Sequence, residues 1–275
     1  MPNSERTAAD PATEVAENRS SPAADGVAEL VVVENLGRTY GDGTKAVRAL
    51  AGVNLRVRSG EFVTILGPSG CGKSTLLNIL AGFDTPTEGR ALVDGAPITG
   101  PSPSRGVVFQ DSGALFPWLT VERNIRFGLE AAGRSDSEMR EKTAKALSLV
   151  GLTEFAEKHP KQLSGGMRQL VAIARVLVMD ARLMLLDEPF AALDAITRQH
   201  MQHQLFEICA TAGTTNLFIT HSVDEAIYLG DRVLVMSGRP GSVKAELVVD
   251  LPRPRKVASI EFNALRGRAL AMLGE

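Results

Sequence analysis

The sequence predicts an α/β domain, and three observations carry that reading. Short apolar runs bounded by turn residues alternate with longer helical patterns from Ala28 onward. One run, Glu61 to Leu66, leads straight into a glycine-rich loop that opens a helix. Three later runs, Leu183 to Leu186, Asn216 to Thr220 and Val233 to Met236, are strongly apolar, as suits buried parallel strands.

Taken in order, residues 1–27 are rich in Ala, Pro, Ser, Glu and Asp and offer almost nothing large and apolar to bury, so a tail is expected there. Leu30 to Val33 and Val53 to Val57 read as strands of an early β region. Ser74 to Ala81 reads as a helix closed by Gly82. From about 112 to 164 the pattern turns helical with little strand, which predicts an inserted helical subdomain. Helices over Gly165 to Val178 and Ala195 to Ala212 then separate the late strands. The domain is expected to span 28–250, with 251–275 as a C-terminal extension. There is no internal repeat and no sustained heptad pattern.

Composition narrows the function. The 275 residues are 44% hydrophobic and 23% charged, ordinary for a folded, water-soluble chain. Lys and Arg number 30 against 32 Asp and Glu, so no overall positive field gathers nucleic acid. Two cysteines, Cys71 and Cys209, make no disulfide framework and point to a reducing compartment. No apolar stretch reaches the ~20 residues of a membrane helix, and the first residues contain no signal-peptide core.

The loop Gly67-Pro68-Ser69-Gly70-Cys71-Gly72-Lys73-Ser74 places glycines, lysine and serine at the offsets that bind nucleotide phosphates. Glycines allow close backbone approach, so successive N–H groups and the following helix N-terminus face the anion. Lys73 is expected to reach the β and γ phosphates of ATP, Ser74 to ligate Mg²⁺, and Thr75 to add a polar contact in the first helical turn. Lying in this loop, the Cys71 thiol is expected to be shielded by bound ATP. A tight turn with no ligand is the competing reading, and the residue set argues against it.

Two further segments carry chemistry. Leu183 to Leu186 ends in Asp187 and Glu188, at the carboxyl end of a parallel strand where ligands lie. Asp187 suits Mg²⁺ through water, and Glu188 suits a general base for the attacking water. Leu163-Ser164-Gly165-Gly166-Met167-Arg168-Gln169 combines a helix-capping serine with two glycines, which leaves backbone N–H groups open as a second anion site. Helix capping alone would also explain Ser164.

These three motifs together resemble the ATP-binding subunit of an ABC transporter, from about Ala28 to at least Val235. The resemblance implies a P-loop NTPase fold with a RecA-like core, an antiparallel β subdomain and the inserted helical subdomain. It also implies a head-to-tail homodimer, in which Ser164, Gly165, Gly166 and Gln169 of one copy close over ATP held by the other. Tyr40 matches the aromatic that stacks on adenine. Gln110 matches the glutamine that contacts Mg²⁺ and water and relays nucleotide state. Asp194 matches the loop that communicates across the dimer, with helix capping as a second role. His221 matches the histidine that contacts the γ-phosphate and positions Glu188. Ala191 and Ala192 depart from the serine that many relatives carry, at a place where no chemistry is required.

Finer segments, among them Ala114 to Thr120 and the late LPRPR, resemble the importers of nitrate, sulfonates, taurine and related small anions. That implies an energy-coupling ATPase peripheral to the cytoplasmic face of the membrane. Its partners would be transmembrane permease subunits and, indirectly, an extracytoplasmic solute-binding protein. Phe116 and Trp118 then either dock a permease helix or pack the helical subdomain. The competing functions are a soluble ATPase of the same class, which usually carries two cassettes or a long coiled coil, and a metabolic kinase, which has no use for the Ser164 segment.

Overall fold

The strands separate into two sheets according to how many of their faces are apolar. The computed structural model describes residues 28–110 and 115–274. The tail expected over 1–27 and the start of the insert at 112–114 lie outside them.

The first sheet is antiparallel, in the order β2-β1-β4-β5, from β1 (Glu29–Tyr40), β2 (Val47–Arg58), β4 (Glu88–Val93) and β5 (Ala96–Pro97). Its strands alternate. In β2, Val53, Leu55 and Val57 are buried while Asn54, Arg56 and Arg58 face water, the period-two pattern of a sheet with one wet face.

The second sheet runs β10-β9-β3-β8-β7-β6. It comprises β3 (Phe62–Leu66), β6 (Arg105–Val108), β7 (Leu183–Asp187), β8 (Thr215–Thr220), β9 (Arg232–Met236) and β10 (Val243–Val248). All neighbours are parallel except β10 on β9. Both faces of the central strands are covered, so β3 and β8 are buried along their whole length and β7 as far as Leu186. Val63, Ile65, Leu183 and Leu185 face α1 (Lys73–Ala81), which contributes Leu76, Leu77 and Leu80. Met184, Leu186 and Phe218 face the opposite way, toward Leu170 and Ile173 of α4 (Gly165–Leu177) and Leu205 of α5 (Ala195–Ala212). Burying each such side chain contributes about 1.5–3 kcal/mol before entropy is counted.

Register sets the ends of these strands in line. Leu66 pairs with Thr220, Asp187 with Ile219, and Val108 with Leu186. Whatever follows those residues therefore shares one edge of the sheet, the edge where ligands bind in open α/β sheets.

The helical subdomain consists of α2 (Val121–Ala131) and α3 (Asp136–Leu149), capped by Thr120 and Ser135 and packed on α4. Val121, Ile125 and Leu129 fall four apart and form the buried stripe of α2.

The residues expected as a C-terminal extension pack on the domain. Helix α6 (Val223–Leu229) and helix α7 (Ile260–Leu273) pack together, and Phe262 of α7 is 0% exposed against Val233, Val235 and Leu247. Arg255, itself buried, donates to the carbonyls of Ile227, Tyr228, Gly230 and Val249. The LPRPR segment thus satisfies carbonyls at the end of α6 that a helix of seven residues leaves open.

Candidate nucleotide site

The loop Gly67–Ser74 joins β3 to α1 and lies at the aligned edge of the sheet. Its tip, Pro68 to Gly70, is exposed, while Gly67 and Lys73 are buried. Lys73 Nζ donates to the carbonyls of Gly67 (2.8 Å) and Pro68 (3.0 Å), so the ammonium lies inside the loop it helps to shape. Gly72 caps α1 with φ +103°, and no side chain caps that helix, which leaves the N–H groups of its first turn to an external anion. A Cβ on Gly72 would stand 2.7 Å from Leu50 and 2.9 Å from the Ala49 carbonyl, so position 72 needs glycine for both angle and space.

Cys71 departs from expectation. Its side chain is 1% exposed and tucks beneath Gly67 into the core formed with Leu50, Leu76 and Met236. Only its backbone belongs to the loop surface. Ligand shielding of the thiol therefore gives way to shielding by the core.

Asp187 ends β7 beside Ser74. Burial pushes its carboxyl above the usual range, the Ser74 hydroxyl and Lys73 pull it down, and the neighbouring Glu188 charge adds to the upward push. Glu188 follows with φ +42°, a left-handed conformation that is rare outside glycine and accumulates at functional sites. Its Oε2 lies 2.8 Å from Nδ1 of His221, the first residue after β8. Gln110 stands two residues beyond β6, exposed, next to the β7 end in register. Gly67, Gln110, Asp187, Glu188 and His221 thus reach one edge from four strands.

Tyr40 closes β1 opposite Val47, three residues before the Leu50 that touches Gly72. Its hydroxyl donates to Asp84 (2.7 Å), and the Arg38 guanidinium lies 4.5 Å over its ring. One ring face is therefore taken by Arg38, and stacking on a base falls to the other.

The family model described as "ABC transporter" matches residues 50–191. An ABC transporter ATP-binding protein of Methanocaldococcus jannaschii is 50% identical over 241 residues, 88% of this chain and 90% of that protein. An aliphatic sulfonates import ATP-binding protein of Bacillus cereus is 44% identical over 240 residues, 87% of this chain and 94% of that protein. The chain belongs to the ABC transporter ATP-binding family. Among solved structures, a cassette from Clostridium perfringens that is part of an ABC transporter complex superposes with a TM-score of 0.73 at 34% identity, covering 79% of this chain and 88% of that one. A dimeric cassette in a post-hydrolysis state with ADP and Pi gives 0.68 at 33% identity, covering 81% of this chain and all of that one.

As an ABC cassette, the chain binds and hydrolyses ATP, and the edge described above is where its phosphate loop stands. The second anion segment is more mixed. Ser164 caps α4 by accepting from the Met167 N–H (3.2 Å), so the capping reading holds whatever else Ser164 does. Gly165 is half-buried. Gly166 is buried because a Cβ there would press 3.1 Å from the Met201 sulfur on α5, so this glycine serves helix packing. Gln169, one helical turn past Gly165, is 2% exposed, so its side chain lies inside the protein. Asp194 accepts from the N–H groups of Ile196 (3.1 Å) and Thr197 (3.0 Å), capping α5. The Thr197 N–H foremost holds its carboxyl below the usual range.

The aromatics Phe116 and Trp118 of the ABC cassette's insert touch at 5.6 Å but differ in exposure: Phe116 also packs on Phe127 and under Arg175, while Trp118 is 70% exposed. Buried Asn124 fixes their loop, bonding the Phe116 backbone on both sides and the carbonyls of Leu119 and Thr120. Sequence reasoning missed a second aromatic pair, Phe83 stacked on Phe109 at 6.2 Å. Both are exposed, and Phe109 directly precedes Gln110. Their 26-residue separation in the chain hid the pairing.

Proposed function

We propose that this cassette is the energy-coupling subunit of an importer for small anions such as sulfonates, taurine or nitrate. The observation that carries the reading is the 44% identity, over nearly the full length of both chains, to a cassette described as importing aliphatic sulfonates. Two copies pair head to tail, so that Ser164 to Gly166 of one face the phosphates held by Gly67 to Thr75 of the other. The dimeric state of the related cassette supports this pairing.

Mg²⁺ suits the residues available. Among the described residues no cluster of three or more His, Cys, Asp or Glu forms a metal cage. Ser74, Asp187 and Gln110 offer one hydroxyl, one carboxylate and one amide. Mg²⁺ favours such sparse oxygen sets, which leave room for waters and substrate phosphates. When bound, the ion neutralises phosphate charge. Lys73 binds the β and γ phosphates, Glu188 takes the proton of the attacking water, and His221 orients Glu188 and contacts the γ-phosphate. Asp194 reaches the partner copy, and Tyr40 stacks on adenine.

No helix among the described residues is long and apolar enough to cross a membrane. Coupling therefore calls for separate permease subunits, docked on exposed Trp118 and reached by Gln110, with the cassette peripheral on the cytoplasmic face. A solute-binding protein outside the membrane supplies the substrate choice, and no nucleic acid takes part. Copurification of the tagged chain from membranes tests this. A hydrophobic permease is the expected companion, and recovery with RNA or DNA instead would contradict the importer reading.

A further inference from the structure

Helix α6 begins two residues after His221, and its buried Glu225 is tied to the residues that flank the histidine. Glu225 Oε2 accepts from the Thr220 hydroxyl (2.5 Å), and that hydroxyl oxygen accepts from the Ser222 N–H (2.9 Å). The residues on either side of His221 are thereby pinned to one carboxylate. Its other oxygen accepts from Gln202 Nε2 of α5 (3.1 Å).

Arg198, also on α5, connects the same carboxylate to the loop before that helix. Arg198 Nη2 donates to the Leu193 carbonyl (2.8 Å), and its backbone N–H bonds Asp194. Its Nε is buried, makes no hydrogen bond, and stands 3.9 Å from Glu225 Oε1, about 1 Å beyond bonding distance. Glu188, Arg198, Thr220, His221 and Glu225 line a void of about 30 Å³, which is room for one water. The cluster is thus contiguous with the catalytic pair. The guanidinium thus stands between the Leu193 carbonyl and Glu225, and Glu225 in turn holds Thr220 and, through its hydroxyl, Ser222.

We infer that Arg198 and Glu225 are positioning residues that set His221 according to whether a second copy of the chain engages the loop at Leu193 and Asp194. This rests on the paired reading proposed above. The cassette of one copy then becomes competent when its own loop is held by the other, through a chain of side chains that touch no nucleotide.

Steady-state ATP hydrolysis by wild type, Glu225→Gln, Arg198→Lys and the double variant, over a range of ATP and protein concentrations, tests the relay. Each single variant is expected to lose about tenfold in kcat with KM within about twofold, because ATP contacts stay in place. The double variant should be no worse than the more impaired single one, since both break one path. Arg198→Lys keeps the charge at a partly exposed position but loses the planar fork, so it decides the matter should Glu225→Gln fold poorly. Variants at wild-type kcat, or losses that multiply in the double variant, overturn the relay alone. Wild-type activity strictly first order in protein at all concentrations overturns the pairing, and the relay with it.

Discussion

Nδ1 of His221 lies 2.8 Å from Oε2 of Glu188, joining the ends of the neighbouring strands β8 and β7. Glu188 takes a left-handed backbone angle there, so the chain leaves β7 turned. A carboxylate held in this way is placed to accept a proton from water, and because it can only accept, the ring that orients it donates from a protonated Nδ1.

Glu188→Gln should therefore keep ATP affinity within about twofold while lowering kcat by at least about 100-fold, the range for removal of a general base. Nucleotide titration and phosphate release together check it. A variant that hydrolyses ATP at the wild-type rate would remove Glu188 from the mechanism.

Gly72→Ala forces an L residue to φ +103° and puts its Cβ against Leu50 and the Ala49 carbonyl. The angle alone costs about 1–2 kcal/mol, and the contact with main chain adds to it. Thermal melts should show a lower Tm and a smaller upward shift on adding ATP. An unchanged Tm would mean the loop relaxes freely.

Asp84 gives a pH-dependent prediction. Burial pushes its carboxyl up, but the Tyr40 hydroxyl, the Thr85 N–H and Arg38 together hold it below the ordinary 3.8. A carboxyl lowered in the folded state adds stability above the unfolded value and loses it as pH falls through the folded one. Asp84→Asn should lower Tm at pH 7, and the gap to wild type should narrow below pH 3.8. An equal gap at both pH values would contradict the pairing with Arg38.

Arg255→Leu removes a charged donor from the carbonyls of Ile227, Gly230 and Val249, and leaves Tyr228 only its longer bond from Arg253. A loss of about 3 kcal/mol is expected for buried, charge-assisted bonds. Urea unfolding should show a lower midpoint with little change in slope. A midpoint equal to wild type would mean that the packing of residues beyond 250 adds nothing to stability.

Much of the architecture was legible because local rules and tertiary demands agree. The strands β3, β7 and β8 are buried and carry apolar runs, and Ala195 to Ala212 emerged with the predicted bounds between a capping Asp194 and Gly213. Residues whose partners are distant in the chain were not legible. Ser222-Val223-Asp224-Glu225 reads locally as a helix cap, and Ser222 does accept from the Glu225 N–H. Nothing in that spacing announces that the Glu225 carboxylate bonds Thr220 and Gln202. Cys71 and Gln169 were read from motif position, whereas the packing beneath the loop and the turn of α4 decide where their side chains go. Helix α7 went unread because its burial depends on α6 and on the sheet, not on a strong pattern of its own.

The composite site is the centre of the account, and subunit complementation tests it most directly. Lys73→Ala spoils the phosphate loop of its own copy, and Gly165→Asp spoils the segment that faces the other copy. Each alone should be inactive. An equimolar mixture should recover about a quarter of wild-type ATPase activity, because about half of randomly paired two-fold dimers then hold one intact site. A mixture as inactive as its components would contradict the account.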